Sequence, residues 1–380
     1  MTDPALGPIA EKIGAGERLN AADGLAMYGT SDLIGLGLLA DAANRRKNGD
    51  TVTFAANQHI NPTNVCVLRR TCTFCGYARL PKEEGAYRYT LEQVLAEAAQ
   101  AANGLTKEFH IVGGLDMKAG LPYYVAMFRA LKANFPHVHI KALTAVEIAH
   151  IARIEKMSWR DVLIVLRDAG LDTMPGGGAE TFSLAVREQI ADKKLAGADY
   201  IGVHRTAHEL GIRTNCTMLY GHIETPRDRM EHLQMLRDLQ DETGGFLAYI
   251  PLAYHPDDNE LGKQLGRQGS STSGVDDLKM LAVGRLFLDN FRHIKSHWIM
   301  VSQPLSQIAL HFGVNDLEGT VVREKIYHAV GAQTPEAVSL EALLALIRGA
   351  GKVPAERDSF YNIVRTFSAT GEPAAIPARD

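Results

Sequence analysis

Segments that read as buried strands alternate with segments that read as capped helices about eight times along this chain, and that limits its fold more than any other feature. One stretch shows the pattern. Thr90-Leu-Glu-Gln93 fits a capping box and leads into Leu91, Val94, Leu95, Ala98 and Ala102 at helical spacing, stopped by Asn103-Gly104. Glu108 to Gly114 (EFHIVGG) then reads as a buried strand ending in glycines. A helix follows from Pro122, with Val125, Phe128 and Leu131 on one face, and His139 to Thr144 (HIKALT) is the next strand. Ser158 to Ala169 is a helix with a Ser-x-x-Asp start, closed by Gly170. Residues 171–175, 213–221, 246–254, 294–301 and 308–313 supply further strands, and 59–67 is the first. Eight alternations over about 260 residues predict an α/β chain folded as a (βα)8 TIM-type barrel. A doubly wound sheet is the alternative, but no Gly-x-Gly-x-x-Gly follows the first strand. Residues 1–50 read as a helical lead-in, 51–331 as the barrel and 332–380 as a helical C-terminal appendage.

Composition enters here as a set of exclusions. A chain of 380 residues, 46% of them hydrophobic, can bury one large core. Its net charge of −4 and the lack of a dense Lys/Arg run argue against a nucleic-acid partner. The longest apolar stretch, Leu33 to Ala43, contains glycines and an aspartate and is too short to cross a bilayer, so no membrane partner is expected. Met1 to Ala15 lacks the basic start and apolar centre of a secretion signal. The expectation is a soluble cytoplasmic protein.

Four cysteines are present, and Cys66, Cys72 and Cys75 lie together in NPTNVCVLRRTCTFCGYAR. An all-protein zinc site normally takes four ligands, and a [4Fe–4S] cluster with four cysteines is closed in the same way. Three thiolates on one loop suit a cluster with one iron left open for a small molecule. S-adenosylmethionine can chelate that iron, and one electron then breaks its C–S bond. A partial zinc site or free thiols is the alternative that the cysteines alone leave open. Cys216 lies in a strand and reads as a buried small side chain.

In a barrel the chemistry sits at the C-terminal ends of the strands, and the polar motifs of this chain fall there. The cysteine loop follows the first strand and Gly113-Gly114-Leu115 the second. Thr144 and Glu147 follow the third, and Pro175-Gly-Gly-Gly-Ala-Glu180 the fourth. Tyr220-Gly-His-Ile-Glu-Thr225 follows the fifth and Tyr254-His-Pro256 the sixth. Each has a plainer account: glycines make turns, Glu180 caps a helix, and His59, His110, His222 and His255 serve as hydrogen-bonded or surface residues.

Cys72-Thr-Phe74-Cys75 at the end of a first barrel strand resembles the radical S-adenosylmethionine superfamily. More narrowly, the chain from about Asp23 to Asn362 is similar to the aminofutalosine synthases of the futalosine route to menaquinone. That resemblance is carried by HINPTNVC (59–66), FHIVGGL (109–115), HIKALTAVEI (139–148), MPGGGAE (174–180), HRTAHELGI (204–212), TNCTMLYGHIETP (214–226), LQDETGGF (239–246), HFGVNDLEGTVV (311–322) and ERDSFYN (356–362). One departure stands out: the family spaces its cysteines Cys-x3-Cys-x2-Cys, whereas Cys66 and Cys72 enclose the five residues Val67 to Thr71.

The resemblance implies that Cys66, Cys72 and Cys75 hold a [4Fe–4S] cluster and that Phe74 packs near the adenine of S-adenosylmethionine, which is consumed as a cosubstrate. Gly113 and Gly114 would meet its methionyl amino group, Glu180 and Arg187 its methionyl end or ribose, with the Arg187 guanidinium a candidate bidentate partner for its carboxylate, and Gly221 its adenine. Glu147, His222 and His255 are the implied catalytic candidates, and Lys141 and His255 are candidates for a substrate carboxylate. The implied substrate is an aromatic vinyl-ether dicarboxylate, 3-[(1-carboxyvinyl)oxy]benzoate. The 5′-deoxyadenosyl radical would add to its double bond to give 6-amino-6-deoxyfutalosine, releasing methionine and the carboxylate. A reducing electron-donor protein is the implied partner. The runner-up is a hydrogen-abstracting relative of the dehypoxanthine futalosine cyclase type.

Overall fold

The computed structural model describes residues 1–101, 106–269, 271–319, 325–326, 328–330, 334–335, 337–367 and 373–374. The Asn103-Gly104 helix stop, the last residues of the 311–322 string and the boundary expected at 331–332 lie outside the described residues. The chain is α/β with mostly parallel strands. β1 (Thr51–Phe54) and β2 (Asn57–Ile60) follow one another across a two-residue break. β2 pairs parallel with β3 (Glu108–Ile111), which pairs parallel with β4 (His139–Ala142). β5 (Thr214–Tyr220), β6 (Phe246–Ala253), β7 (His293–Ser296) and β8 (Asp316–Leu317) form a parallel run that continues onto β1. On its other side β1 pairs parallel with β9 (Val353–Arg357), and among the described strands the antiparallel pairings are those of β10 (Ile363–Phe367) with β9 and with β11 (Pro373–Ala374). Single parallel bridges, Lys141 with Thr173 and Met174 with Thr214, lie between β4 and β5.

Parallel strands need both faces covered, and the helices that do so start as their sequences direct. Thr144, Thr225 and Ser273 each close a reciprocal capping box with an acid three residues on. Each such cap contributes roughly 1 kcal/mol. Thr90 and Gln93 exchange the expected bonds at the start of helix Leu91–Ala101. Gly170, at φ 117°, ends helix Trp159–Ala169 in a left-handed conformation that suits glycine. No helix among the described residues is long and apolar enough to cross a membrane.

Several expected elements are corrected. Residues 171–175 make only the two bridges, because Pro175 and Gly176–Gly178 follow at once and cannot extend a ladder. Residues 308–313 are not a strand. Ser302 caps helix Gln303–Ala309, Pro304 stands in its first turn, and the strand is the two-residue β8 further on. The strand expected over 294–301 stops at Ser296 and gives way to helix Trp298–Val301. The segment from 332 is not wholly helical either. After helix Leu340–Gly349 it forms β9 and β10, with β9 laid along β1 and the Arg357 guanidinium on Asp316 of β8 at 2.7 Å.

Candidate active site

The loop after β2 carries the three cysteines. Its outer end is tied down by Val67, whose N–H donates to the Leu115 carbonyl at 3.0 Å, and by Cys66, whose N–H donates to Arg79 at 2.9 Å. The five residues between Cys66 and Cys72 wind into a single helical turn. The Thr71 and Cys72 N–H groups both donate to the Leu68 carbonyl at 2.9 Å, the second of these an i→i+4 bond. Past this turn, the Thr73 N–H donates to Ile190 and the Thr73 carbonyl accepts from Leu261, each at 2.9 Å. An apolar cluster of Val186, Ile190, Leu219, Tyr254 and Leu261 backs the loop, with Cys72 inside it and Leu68, Phe74 and Cys75 packed against it.

All three thiols and Phe74 line one cavity of about 310 Å³. None of the cysteines is in a disulfide. Burial pushes the Cys72 thiol up to about 12; the Lys194 ammonium pulls the other way, while Cys75, Glu180 and Cys66 add to the rise. Burial also raises Cys66. Soft sulfur donors with a cation beside them and an apolar backing suit a thiolate-bound cluster. No three His, Cys, Asp or Glu side chains among the described residues are grouped to hold a single metal ion. Three thiols of one loop that line one cavity beside Lys194, none of them in a disulfide, are a donor set that fits the cluster.

The opposite wall of this end is backbone. Gly113 and Gly114 follow β3, and a Cβ on Gly114 would run into the Val65 carbonyl just before Cys66. Glycine here lets the two strand-end loops touch. Gly176 likewise packs on the backbone of Cys216, which is how that buried cysteine serves the fold. Glu180 holds a left-handed backbone at φ 52°, unusual for a residue with a side chain and found where surrounding structure imposes it. Its carbonyl accepts from the Leu219 N–H at 2.8 Å, and its carboxylate pairs with the half-buried Lys194 ammonium. Lys194 also stands over the Phe74 ring, 5.3 Å from its centroid. Burial works to lower the Lys194 pKa, but Glu180 and Cys72 more than offset this and hold it up.

Deeper in, the strands themselves line the cavity. The register sets His59, His110 and Lys141 side by side on β2, β3 and β4. The His59 and His110 rings stack at 4.7 Å, and Lys141 bonds Glu108 at 2.7 Å. Lys295 of β7 bonds Glu318, just past β8, at 3.0 Å. His297, Asn215 and Thr217 complete this end.

Of the residues expected from the sequence, Cys66, Cys72, Cys75, Phe74, Gly113, Gly114, Glu147, Glu180 and His255 line this cavity, as does Lys141. Arg187, Gly221 and His222 do not. The Arg187 guanidinium is turned into the backbone, donating to the carbonyls of Ala179 at 2.8 Å, Thr181 at 2.9 Å and Leu195. His222 is buried on its own turn, with Nδ1 accepting from the Ile223 N–H at 2.8 Å and Nε2 facing the Leu219 carbonyl at 3.1 Å. Gly221, at φ 88°, makes the turn itself: its N–H donates to Glu224 at 2.7 Å and its carbonyl accepts from Ser271 at 2.7 Å.

Glu147 lines the cavity but also has structural bonds. One oxygen accepts from the Gly113 N–H at 2.9 Å, the other from the Thr144 N–H at 2.7 Å and hydroxyl at 2.8 Å. Burial pushes it up to about 7 against those bonds. His255 faces the Met300 carbonyl at 3.1 Å. Sequence reasoning missed Lys194, Lys295 and Glu318. A signal for Lys295 existed. Strand β7 repeats the His-Ile-Lys of β4, and a lysine inside a parallel strand buried on both faces needs a buried partner.

Comparisons agree with this geometry. Residues 60–236 match the Radical SAM superfamily and residues 243–370 the CofH/MqnC C-terminal region. An aminodeoxyfutalosine synthase of Thermus thermophilus is 46% identical over 97% of this chain and 98% of its own. One from Streptomyces coelicolor is 44% identical, covering 94% of each. The crystal structure of methylornithine synthase (PylB) superposes with a TM-score of 0.71 over 91% of this chain and 97% of its own; at 15% identity it speaks for the fold alone. Members of this superfamily use a [4Fe–4S] cluster with S-adenosylmethionine, and the chain belongs to it, within the aminodeoxyfutalosine synthase family.

Proposed function

We propose that this chain is an aminodeoxyfutalosine synthase. It joins the 5′-deoxyadenosyl group of S-adenosylmethionine to the vinyl carbon of 3-[(1-carboxyvinyl)oxy]benzoate, releasing methionine and the substrate carboxylate. The observation that carries this reading is one cavity with two unlike ends. Thiols and the Glu180–Lys194 pair occupy one, and lysines held by carboxylates occupy the other. The 46% identity to a synthase over nearly the whole chain agrees with it.

Cys66, Cys72 and Cys75 would hold the cluster, with Phe74 and the Gly113–Gly114 backbone bordering the cosubstrate. Bound together, cluster and cosubstrate supply the 5′-deoxyadenosyl radical. Lys194, a cation inside the cavity wall, takes the carboxylate-binding role that the sequence assigns to Arg187. Leu115, Val146, Ile250 and Leu252 give the middle of the cavity an apolar lining that excludes water from a reactive centre. Holding the alkene against C5′ matters because a misplacement of about 1 Å costs on the order of 100-fold in rate. Of the catalytic candidates, Glu147 and His255 remain in this proposal as cavity-lining groups and His222 as a support of the loop after β5.

We also read the two strand sets as one closed (βα)8-type ring, with β1–β2 as a single broken strand and the 173–174 bridges spanning β4 and β5. The lead-in 1–50 and the segment from 332 would pack on that ring. A reducing donor protein and a cytoplasmic location follow from the chemistry: the centre needs an electron, and free thiols persist in reducing compartments.

The test is anaerobic incubation with reductant, adenine-labelled S-adenosylmethionine and the carboxyvinyl ether. Most of the label should appear in a product of aminofutalosine mass. Label found only in free 5′-deoxyadenosine would replace this reading with hydrogen abstraction.

A further inference from the structure

The ion-pair network at the deep end of the cavity carries no net fixed charge. Lys141 on β4, Lys295 on β7, Glu108 on β3 and Glu318 just beyond β8 line the cavity, while Arg357 on β9 and Asp316 on β8 stand behind them. They are paired among themselves. Lys141 holds Glu108 at 2.7 Å, Lys295 lies 3.0 Å from Glu318 and 3.5 Å from Asp316, and Arg357 grips Asp316 at 2.7 Å. The Asn57 amide adds a bond of 2.5 Å to Glu318. Three cations against three anions leave zero.

Histidines are set into this network. His59 and His110 stack from adjacent strands, and His297 stands 3.8 Å from Glu318. His59 is nine-tenths buried, and its Nε2 has no hydrogen-bond partner. His139 of β4 bonds Thr173 beside Asp172 and also feels Glu108 and Lys141, and His293 of β7 bonds Asn315 and also feels Asp316 and Arg357. Tyr361 gives its hydroxyl to Asp316 at 3.1 Å. Burial pulls His110 down to about 3, helped by His59 and Lys141 and opposed by Glu108 and Glu318, so the His110 ring is uncharged near neutral pH.

We propose that this floor is a carboxylate-reading subsite in which Lys141 and Lys295 donate to one carboxylate of the substrate and the His59–His110 pair takes up one proton as that carboxylate enters. Each ammonium has three N–H donors, and Lys141 gives one of them to Glu108. An anion placed beside a neutral, buried network meets no net attraction, and an added proton removes the mismatch. The two stacked rings cannot both be charged at 4.7 Å without strong repulsion, which fixes the uptake at one. Specificity follows from the same balance. An ester or amide in place of that carboxylate brings no charge and draws no proton.

The inference rests on the synthase reading for the identity of the ligand, and one experiment separates the two. Cluster-loaded protein is titrated calorimetrically with 3-[(1-carboxyvinyl)oxy]benzoate, without reductant, in buffers of differing ionisation enthalpy. Wild type should take up close to one proton per ligand above pH 7, and binding should weaken by up to about tenfold per pH unit there. His59→Gln and His110→Gln, checked for folding by circular dichroism and for iron content, should each reduce the uptake and flatten that pH dependence. The two monoesters of the ligand identify which carboxylate is read, since one of them should bind without proton uptake. Proton-neutral binding of the diacid by a preparation that still forms the aminofutalosine-mass product overturns the subsite and leaves the function standing. No binding at all overturns both.

Discussion

The two ends of the cavity are built from different parts of the fold. At the thiol end the wall is loop: the helical turn between Cys66 and Cys72, the Gly113–Gly114 backbone against Val65, and Glu180 in a left-handed conformation. At the floor it is strand: His59, His110 and Lys141 stand in register, and Lys295 reaches Glu318 across β7 and β8. A loop can present three sulfurs to something it does not yet hold. A strand fixes side chains at a spacing set by the ladder, and so suits a preformed site for a ligand of fixed shape. The two ends should therefore fail differently when altered. The first should lose a cofactor while the fold persists, and the second should lose stability.

Loss of a thiol is the largest effect expected. Cys72→Ala or Cys75→Ala should abolish iron binding after anaerobic reconstitution, because two thiolates do not hold a cubane firmly. Circular dichroism should show the fold unchanged. Wild type should bind close to four irons, and Cys216→Ala, whose thiol lies in β5 against the Ala248 carbonyl at 3.7 Å, should match it. Iron retained by Cys72→Ala would mean that the thiol end is not what holds the cluster.

The floor should break in the opposite sense. Lys141→Met leaves Glu108 buried without its cation, and breaking such a pair costs about 3–5 kcal/mol. Denaturant unfolding of the iron-loaded protein should show that loss, with iron content near wild type. Glu108→Gln together with Lys141→Met removes both charges and should recover most of the stability. A single Lys141→Met that is as stable as wild type would put the pair in solvent and end the contrast between the two ends.

Glu147 joins the ends, since it grips Gly113 above and caps the helix after β4 below. Its native pKa of about 7 lies above the ordinary 4.5. Between those values the native state keeps a proton that the unfolded chain has released, so stability falls as pH rises from about 4.5 to 7 and levels off beyond. The span corresponds to a loss on the order of 3 kcal/mol. Glu147→Gln should abolish that slope. It should also lower stability at pH 5 by about 1 kcal/mol, because its amide NH2 cannot accept from the Thr144 N–H as the second oxygen does. Unfolding midpoints measured from pH 5 to 8 test both statements.

How much of this was legible in the sequence follows the same division. The thiol end was legible because loop chemistry is written in contiguous residues: three cysteines, the paired glycines and MPGGGAE. The helices capped at Thr90 and Ser158 were readable too, since both signal locally. The floor was mostly hidden. Lys141 pairs with a residue 33 positions away and Lys295 with one 23 away, and only strand register brings them together. Short strands failed for a related reason. β8 has two residues, too few for a period to show, and the real ladder at 173–174 is cut off by Pro175. The spacing of the cysteines departs from the family pattern, and the five residues between Cys66 and Cys72 form a turn closed by hydrogen bonds onto Leu68 that the sequence did not announce.

The smallest effect on the cosubstrate is expected where family resemblance had placed a large one. A guanidinium at Arg187 suggested a bidentate partner for the methionyl carboxylate, yet it lies in the wall behind the cavity and donates to three main-chain carbonyls. Those bonds hold the 179–181 turn against residue 195, and so place Glu180 and Lys194 indirectly. Arg187→Ala should therefore cost stability, about 1.5–3 kcal/mol for bonds from a charged donor. It should change S-adenosylmethionine affinity little at a temperature where the variant is folded. Lys194→Met, by contrast, removes a cation from the cavity and should weaken that affinity by roughly tenfold or more while the cluster still forms. Calorimetric titration of both variants, iron-loaded and at equal folded fraction, makes the comparison. If Arg187→Ala loses the affinity and Lys194→Met keeps it, the guanidinium must swing into the cavity on binding, and the thiol end is less preformed than its hydrogen bonds indicate.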